Sequence, residues 1–163
     1  MTQSQYWKEL YQLKTHINFI ELLLEKYELI DRTIKIILAI AASSSIGAWA
    51  IWNDHSWVWA SIIAASQVIS AINPFLPYKE RIKSFSSLLH ELEEVMIQAE
   101  FKWHAISEGE LSDIEINKAR FEIRAKKQKS LKKNIGNSTI PANSKYRIKA
   151  EESAKEYLET FYA

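Results

Sequence analysis

The 163-residue sequence contains no cysteine, and only three glycines and three prolines. Without cysteine the chain has neither a disulfide framework nor a cysteine-ligated metal, and this composition suits a reducing, cytoplasmic environment. Three glycines are too few for the backbone loops that cradle nucleotides. Long stretches without either helix breaker, such as residues 2–31, favour helices, and the sequence predicts an all-α protein.

Catalytic motifs are missing as well. The four histidines are scattered along the sequence, and His90-Glu91 is followed by Glu94 where a zinc-protease helix would need a second histidine. The sequence contains no serine-nucleophile turn. We therefore expect neither an enzyme nor a protein that carries a metal or another cofactor.

Two apolar segments, 34–52 and 57–76, lie on either side of a four-residue connection. Each would form a helix roughly 30 Å long, which is the thickness of the hydrocarbon core of a bilayer. Tryptophans, which favour the headgroup level of a membrane, flank the connection at positions 49, 52, 57 and 59. The sequence therefore predicts a two-helix transmembrane hairpin within residues 33–78. A soluble bundle with one very apolar helix pair is the alternative.

The distribution of basic residues predicts how the hairpin is oriented. The connection contains no lysine or arginine, and basic residues lie close to the other two ends of the hairpin, at Lys26, Arg32, Lys35, Lys79, Arg81 and Lys83. Because cytoplasmic flanks carry the excess of positive charge, we expect both termini in the cytoplasm and His55 outside.

Small and polar residues mark different faces of the two apolar segments. The first segment has small residues that allow close helix contact: Ser43, Ser44, Gly47 and Ala48. In the second, Ser66, Ser70 and Asn73 fall within about 60° of one another, with Gln67 at the margin. Polar groups avoid lipid, so this stripe either packs against the first helix or lines a pore at the axis of an oligomer. Such a pore would be gated by Ile62 and Ile69 through dewetting.

Amphipathic helices are predicted on both sides of the hairpin. Residues 1–32 place an apolar stripe at Leu10, Leu13, Ile17, Ile20, Leu24 and Tyr27, and residues 79–107 place another at Ile82, Phe85, Leu89, Leu92, Met96, Ala99, Trp103 and Ile106. We expect these two helices to pair.

Ser112 and Glu115 predict a capping box for a helix over 113–134. A last helix from Ser144 has an apolar face formed by Ala150, Ala154, Tyr157, Leu158 and Phe161. Together these helices, over 1–32 and 79–163, predict a cytoplasmic bundle.

The helix over 113–134 contains a run of cations with one acid, Glu122, among them. The run consists of Lys118, Arg120, Arg124, Lys126, Lys127, Lys129, Lys132 and Lys133. Such a run suits the phosphates of lipid headgroups, nucleotides or oligonucleotides. Alternatively, it packs against the acids of the preceding helix, which are Glu91, Glu93, Glu94 and Glu100.

Four stretches stand out in the order of these elements: YWKEL at 6–10, IGAWAIW at 46–52, NPFLPY at 73–78 and KAEESAKEYL at 149–158. Together with that order they resemble the SLATT family of two-helix membrane effectors, which are encoded beside nucleotide-second-messenger enzymes in bacterial immunity. The resemblance covers nearly the full length of the chain and includes no catalytic signature.

The resemblance implies an oligomeric effector of the bacterial inner membrane that forms a pore and stops growth during phage infection. A partner nucleotidyltransferase would make its signal, a cyclic oligonucleotide or, in Hailong-type systems, a short DNA oligomer. We expect a homo-oligomer in the lipid bilayer, with a tetramer favoured although no residue specifies the number, and no duplex nucleic acid partner. The competing hypothesis is a membrane-anchored structural or assembly protein that does not conduct.

Overall fold

The computed structural model describes residues 2–51, 56–76, 78–136 and 140–162, and the side chains at 41–51, 56 and 59 lie outside the described residues. The described residues form five α-helices: α1 (Thr2–Ile51), α2 (Ser56–Ile72), α3 (Tyr78–Ser107), α4 (Asp113–Asn134) and α5 (Ser144–Tyr162). A turn of 3₁₀ helix, Asn73–Phe75, follows α2 where Pro74 interrupts the α-helical hydrogen bonding. The all-α prediction is confirmed.

The chain divides into two compact units. The bundle unit consists of Met1–Leu24 and Lys83–Ala163, and the apolar unit consists of Glu25–Ile82. The divisions therefore fall within α1 and within α3, and the apolar unit begins eight residues before and ends four residues after the hairpin limits of 33 and 78 that the sequence predicts.

The core of the bundle unit is built on the apolar stripe of α1. Leu10, Leu13, Ile17 and Ile20 are buried as predicted, but the next buried residue is Leu23, with Leu24 only partly covered. In the same way α3 buries Leu88 in place of Leu89. Adjacent residues are rotated by about 100° on an α-helix, so at both places burial includes the side of the helix next to the predicted stripe, and at Leu24 the bundle unit ends.

The predicted pairing of α1 with α3 is confirmed by their hydrogen bonds. The Tyr6 hydroxyl donates to the Ala99 carbonyl at 2.9 Å, and the Gln3 side-chain amide donates to the Ile106 carbonyl at 2.7 Å. The Trp103 ring lies between Tyr6 and Trp7, with centroids 6.2 and 4.9 Å away. Because Gln3 meets Ile106 and Tyr6 meets Ala99, the two helices run antiparallel.

The ends of α3 and α4 follow the local sequence. α3 ends before Gly109, whose positive φ of 75° suits glycine, and α4 ends before Gly136 at a φ of 58°. Ser112 caps α4, since its hydroxyl accepts from the Glu115 N–H while the Glu115 carboxylate accepts from the Ser112 N–H at 2.8 Å. The predicted capping box is confirmed.

Helix α5 covers a second side of the α1–α3 pair. Its residues Ala150, Ala154 and Leu158 are fully buried, and the Tyr157 hydroxyl donates to the Glu100 carboxylate of α3 at 2.9 Å. The sequence-based assignment of Phe161 to the buried face is wrong, because this residue lies in the last turn of α5 and is 65% exposed, with its ring against Tyr157.

In the apolar unit most large hydrophobic side chains are exposed, in contrast to the bundle unit, where they form a buried core. Among the described side chains of the apolar unit only Tyr78 is buried, whereas large hydrophobic residues are exposed at Leu29, Ile36, Ile37, Ile40, Trp57, Ile62, Ile63, Val68, Ile72, Phe75 and Leu76. Within the described residues no single helix has both the length and the apolar character needed to cross a membrane, although Ala60–Phe75 and Tyr78–Ser107 meet the requirement as a bent pair.

Glu91 joins α3 to the end of α4 and provides a test of this packing. It forms a 2.7 Å ion pair with Lys133, and hydrogen bonds from Lys133, Asn134 and Ser130 lower the Glu91 pKa to about 2. We expect Glu91→Gln to weaken the last turns of α4 by about 1 kcal/mol at neutral pH, since Lys133 is well exposed to solvent. The measurement is amide hydrogen exchange in α4.

A lowered pKa stabilises the fold above the ordinary value of 4.5, and this contribution is lost as the pH falls toward 2. The difference between parent and Glu91→Gln should therefore shrink over that interval. Glu93→Gln is the matched control, because Glu93 is half-exposed and its one ion pair among the described residues is with His90 of its own helix, at 3.5 Å. Equal effects of the two substitutions would contradict this role for Glu91.

Candidate functional site

The eight cations predicted to bind phosphate do not share one face of α4. Four have polar partners within the bundle unit: Arg120 with Gln5, Arg124 with Glu9, Lys126 with Gln98 and Lys133 with Glu91. Three are exposed and have no ion-pair partner among the described residues: Lys118, Lys129 and Lys132. The eighth, Lys127, is half-buried and lines a cleft.

The paired cations stabilise the packing of α4 against α1 and α3. Arg124 lies 2.6 Å from the carboxylate of Glu9, which is only 4% exposed, and therefore compensates a buried charge. The single acid of the run, Glu122, pairs with Lys102 of α3 at 2.5 Å. Of the four α3 acids expected to oppose the run, Glu91 is the one for which the described residues show an ion pair with α4.

A cleft with a volume of about 830 Å³ lies between α1, α4, α5 and the segment that precedes α5. Helix α1 forms its floor, Lys127 comes from α4, and Arg147 and Glu151 come from α5. The lining residues are Lys8, Tyr11, Gln12, Thr15, His16, Phe19, Lys127, Ile140, Pro141, Ala142, Asn143, Ser144, Arg147 and Glu151.

Positive potential dominates this cleft. Burial lowers the pKa of Lys127, and the ammonium group has no carboxylate within ion-pair distance among the described residues. Burial also lowers the pKa of His16, and repulsion from Lys127 and, to a smaller extent, Arg147 lowers it further, against a hydrogen bond from the ring to the Gln12 backbone. Because two cations act on one imidazole, an anion in the cleft would be attracted to the same place.

Several polar groups of the cleft already have intramolecular partners. The Asn143 side chain accepts from the Tyr146 N–H at 3.2 Å, and the Thr15 and Tyr11 hydroxyls donate to backbone carbonyls at 2.8 and 3.2 Å. Arg147 contacts Glu151 at 3.0 Å but is largely exposed. The donors left for a ligand are therefore chiefly cationic.

The predicted pore and gate residues of α2 differ in their surroundings. Ser66, Ile62 and Ile69 line a space of about 230 Å³ together with Ala65 of α2 and with Ile37 and Ile40 of α1. The Ser66 hydroxyl donates to the Ile63 carbonyl, and Asn73 accepts from the Tyr78 hydroxyl, both at 2.8 Å. Ser70 and Gln67 are exposed. The helix-packing candidates Ser43, Ser44, Gly47 and Ala48 have side chains outside the described residues.

Comparison of this chain with protein-family models, with curated proteins and with solved structures gives no match. The assignment of the site therefore depends on its geometry. Within the described residues, no group of three or more histidine, aspartate or glutamate side chains is placed to hold a metal ion.

Sequence reasoning found Lys127 but not the rest of the cleft. Lys8, Tyr11, His16 and Phe19 lie on the face of α1 away from the apolar stripe, and Arg147 is separated from them by more than 120 positions. One local signal was present: Phe19 is an aromatic residue outside the stripe of α1.

The His16 imidazole tests the positive potential of the cleft. We expect Lys127→Gln to raise the pKa of His16, because one source of repulsion is removed, while burial keeps it below the ordinary value of 6.5. The measurement is an NMR titration of the imidazole signals, with His16 assigned by its loss in His16→Gln. Lys129→Gln, on the exposed side of the same helix, should leave that pKa unchanged. An unaltered His16 titration in Lys127→Gln would show that Lys127 does not act on the cleft.

Proposed function

We propose that this protein is an oligomeric inner-membrane effector that forms a pore under the control of a nucleotide signal. The observation that carries the proposal is the inverted surface of the apolar unit, in which large hydrophobic side chains are exposed and the core is nearly absent from the described residues. A patch of this size on a protein surface marks contact with a membrane or a partner.

The energetic cost of leaving that surface in water supports the membrane part of the proposal. Burying one leucine or isoleucine side chain contributes about 1.5–3 kcal/mol, so eleven partly exposed side chains amount to at least on the order of ten kcal/mol. Lipid would supply this contribution. Lys35, which lies inside the first apolar segment, pairs with Asp31 at 2.5 Å and remains exposed, as expected for a cation that reaches the interface.

The polar side chains of α2 support a pore. Ser70 and Gln67 are exposed on an otherwise apolar helix and have no hydrogen-bond partner among the described residues. In lipid such groups are costly unless they face protein or water. A path at the axis of an oligomer satisfies them, since one pair of helices cannot enclose a channel.

The bundle unit supplies the control. Its cleft attracts anions, and the resemblance to SLATT effectors implies a nucleotide or oligonucleotide made by a partner nucleotidyltransferase. Binding of that signal in the cytoplasm would switch the pore during phage infection and lead to membrane disruption and growth arrest.

A second candidate function is a membrane anchor or assembly protein that does not conduct. The internal hydrogen bonds of Ser66 and Asn73 favour it, because these two members of the polar stripe need no water-filled path. Both candidate functions place the apolar unit in the bilayer.

Membrane topology is tested by labelling single cysteines, which the natural sequence permits because it has none. We expect a cysteine at Ser56 to react with an impermeant maleimide in intact spheroplasts and a cysteine at Ser107 to react only after lysis. The physical reason is the excess of lysine and arginine on the flanks of the hairpin. The reverse labelling pattern would contradict the orientation, and recovery of the protein in the aqueous fraction would contradict membrane insertion.

Conduction is tested by ion flux through liposomes that contain the purified protein, with and without nucleotides. We expect Ser70→Leu to reduce the flux at least tenfold and to relieve toxicity while the oligomer persists, because an apolar side chain would dewet the path. Val68→Leu, a substitution at an exposed apolar position of the same helix, should do neither. If Ser70→Leu conducts as much as the parent, Ser70 does not line the conducting path. If the parent itself gives no flux, the non-conducting membrane anchor is favoured.

A further inference from the structure

The floor of the cleft alternates aromatic and polar side chains along α1. Tyr11 and Phe19 are eight residues apart, which corresponds to about 12 Å along the helix and a rotation of about 80°, so both rings lie on the same side of α1. His16 lies between them in sequence, and Gln12 and Thr15 complete the polar part of the floor.

Cations reach the cleft from two walls. Lys127 from α4 and Arg147 from α5 line it together with His16, which lies between Tyr11 and Phe19 in the sequence. Lys8 adds a third cation, one helical turn before Tyr11. The single acid of the lining is Glu151, which already contacts Arg147. The cleft therefore combines two aromatic rings with several positive charges.

We propose that the cleft is the sensor site and that it binds a dinucleotide, with a linking phosphate at Lys127 and Arg147 and a base against each of Tyr11 and Phe19. This inference rests on the proposed control by a nucleotide, and it adds where the nucleotide binds and how large it is. Aromatic side chains stack on any base, and lysine and arginine recognise phosphate without reading sequence.

The volume of the cleft sets the size of the ligand. Small-molecule sites occupy about 300–1,000 Å³, so a cleft of about 830 Å³ holds more than a single phosphate and less than a long strand. Two bases joined through phosphate fit this volume.

Arg147 can take part without breaking the fold. Its contact with Glu151 is a solvated pair within one helix, of a kind that contributes little to stability. A guanidinium has five N–H donors, so Arg147 can bind phosphate while it keeps or releases the carboxylate. Lys127 is half-buried, and the Glu9 carboxylate attracts it without coming within ion-pair distance, so a bound anion would add to the compensation of its charge.

Isothermal titration calorimetry of the full chain in lipid nanodiscs tests the proposal. The probes are a linear 5′-phosphorylated dinucleotide and a cyclic dinucleotide, each with adenine and with guanine bases, together with inorganic phosphate and adenosine. We expect at least one dinucleotide to bind at least tenfold more tightly than either phosphate or adenosine. Lys127→Gln should weaken that binding at least tenfold, and Phe19→Leu should weaken it severalfold.

The matched controls are Lys129→Gln and Lys132→Gln on the exposed side of α4, which should retain the affinity of the parent. Failure of every dinucleotide to exceed phosphate and adenosine would overturn the proposal. Equal losses in Lys127→Gln and Lys129→Gln would overturn it as well, because the exposed run would then be the binding surface. Intact helicity of each variant by circular dichroism excludes unfolding as the cause.

The same preparations separate this proposal from the proposed function. If the ion flux responds to a nucleotide and Lys127→Gln does not change that response, the cleft is not the sensor site, but the proposal of a nucleotide-controlled pore stands. If a dinucleotide binds in a way that depends on Lys127 but the protein conducts no ions, the cleft is a dinucleotide site and the proposal of a pore is wrong.

Discussion

The burial of one face of α1 against α3 is the constraint on which the bundle unit depends. Tyr6, Leu10, Leu13, Ile17 and Ile20 occupy that face and are almost entirely removed from solvent. Once the stripe is fixed, helix geometry leaves Lys8, Gln12, Thr15, His16 and Phe19 on the other side, where α4 and α5 approach. The cleft is therefore a consequence of how the core is built. Its floor could not move without changing the residues of α1 that lie in the core.

Helix geometry also explains why the basic run of α4 has more than one role. Consecutive residues are rotated by 100°, so cations that are adjacent in sequence point toward α1, toward α3 or toward solvent. Arg124 compensates the charge of the buried Glu9 carboxylate. Lys133 holds the end of α4 against α3 through its ion pair with Glu91, and Lys127 lines the cleft. A charge count along the sequence treats these three lysine and arginine residues as equivalent. Their partners show that they are not.

Structural features that depend on residues close together in the sequence could be predicted from the sequence alone. The ends of α4 follow from the Ser112 capping box and from Gly136, and the pairing of α1 with α3 follows from two matching stripes. The burial of Leu23 in place of Leu24 was missed because Leu24 is the last α1 residue of the bundle unit, and a periodic stripe does not show where the packing around it ends.

The cleft lay beyond sequence reasoning for a different reason. It requires the relative positions of α4 and α5 on α1, which are set by packing between residues more than a hundred positions apart. The partial pairing of the basic run was likewise set by where Glu9, Gln5 and Gln98 lie on other helices. In the apolar unit, the polar stripe looked uniform on a helical wheel, whereas local hydrogen bonds single out Ser66 and Asn73.

The division of α4 into paired and solvent-facing cations has an evolutionary consequence. A substitution at Arg124 removes the ion pair of the buried Glu9 carboxylate, so positions 9 and 124 are constrained to change together, whereas the more exposed pair of 91 and 133 is constrained more weakly. Positions 118, 129 and 132 carry no such constraint within the bundle and are free to drift toward any soluble side chain. We therefore expect homologues to vary in a coupled way at the paired positions of α4 and independently at its solvent-facing positions.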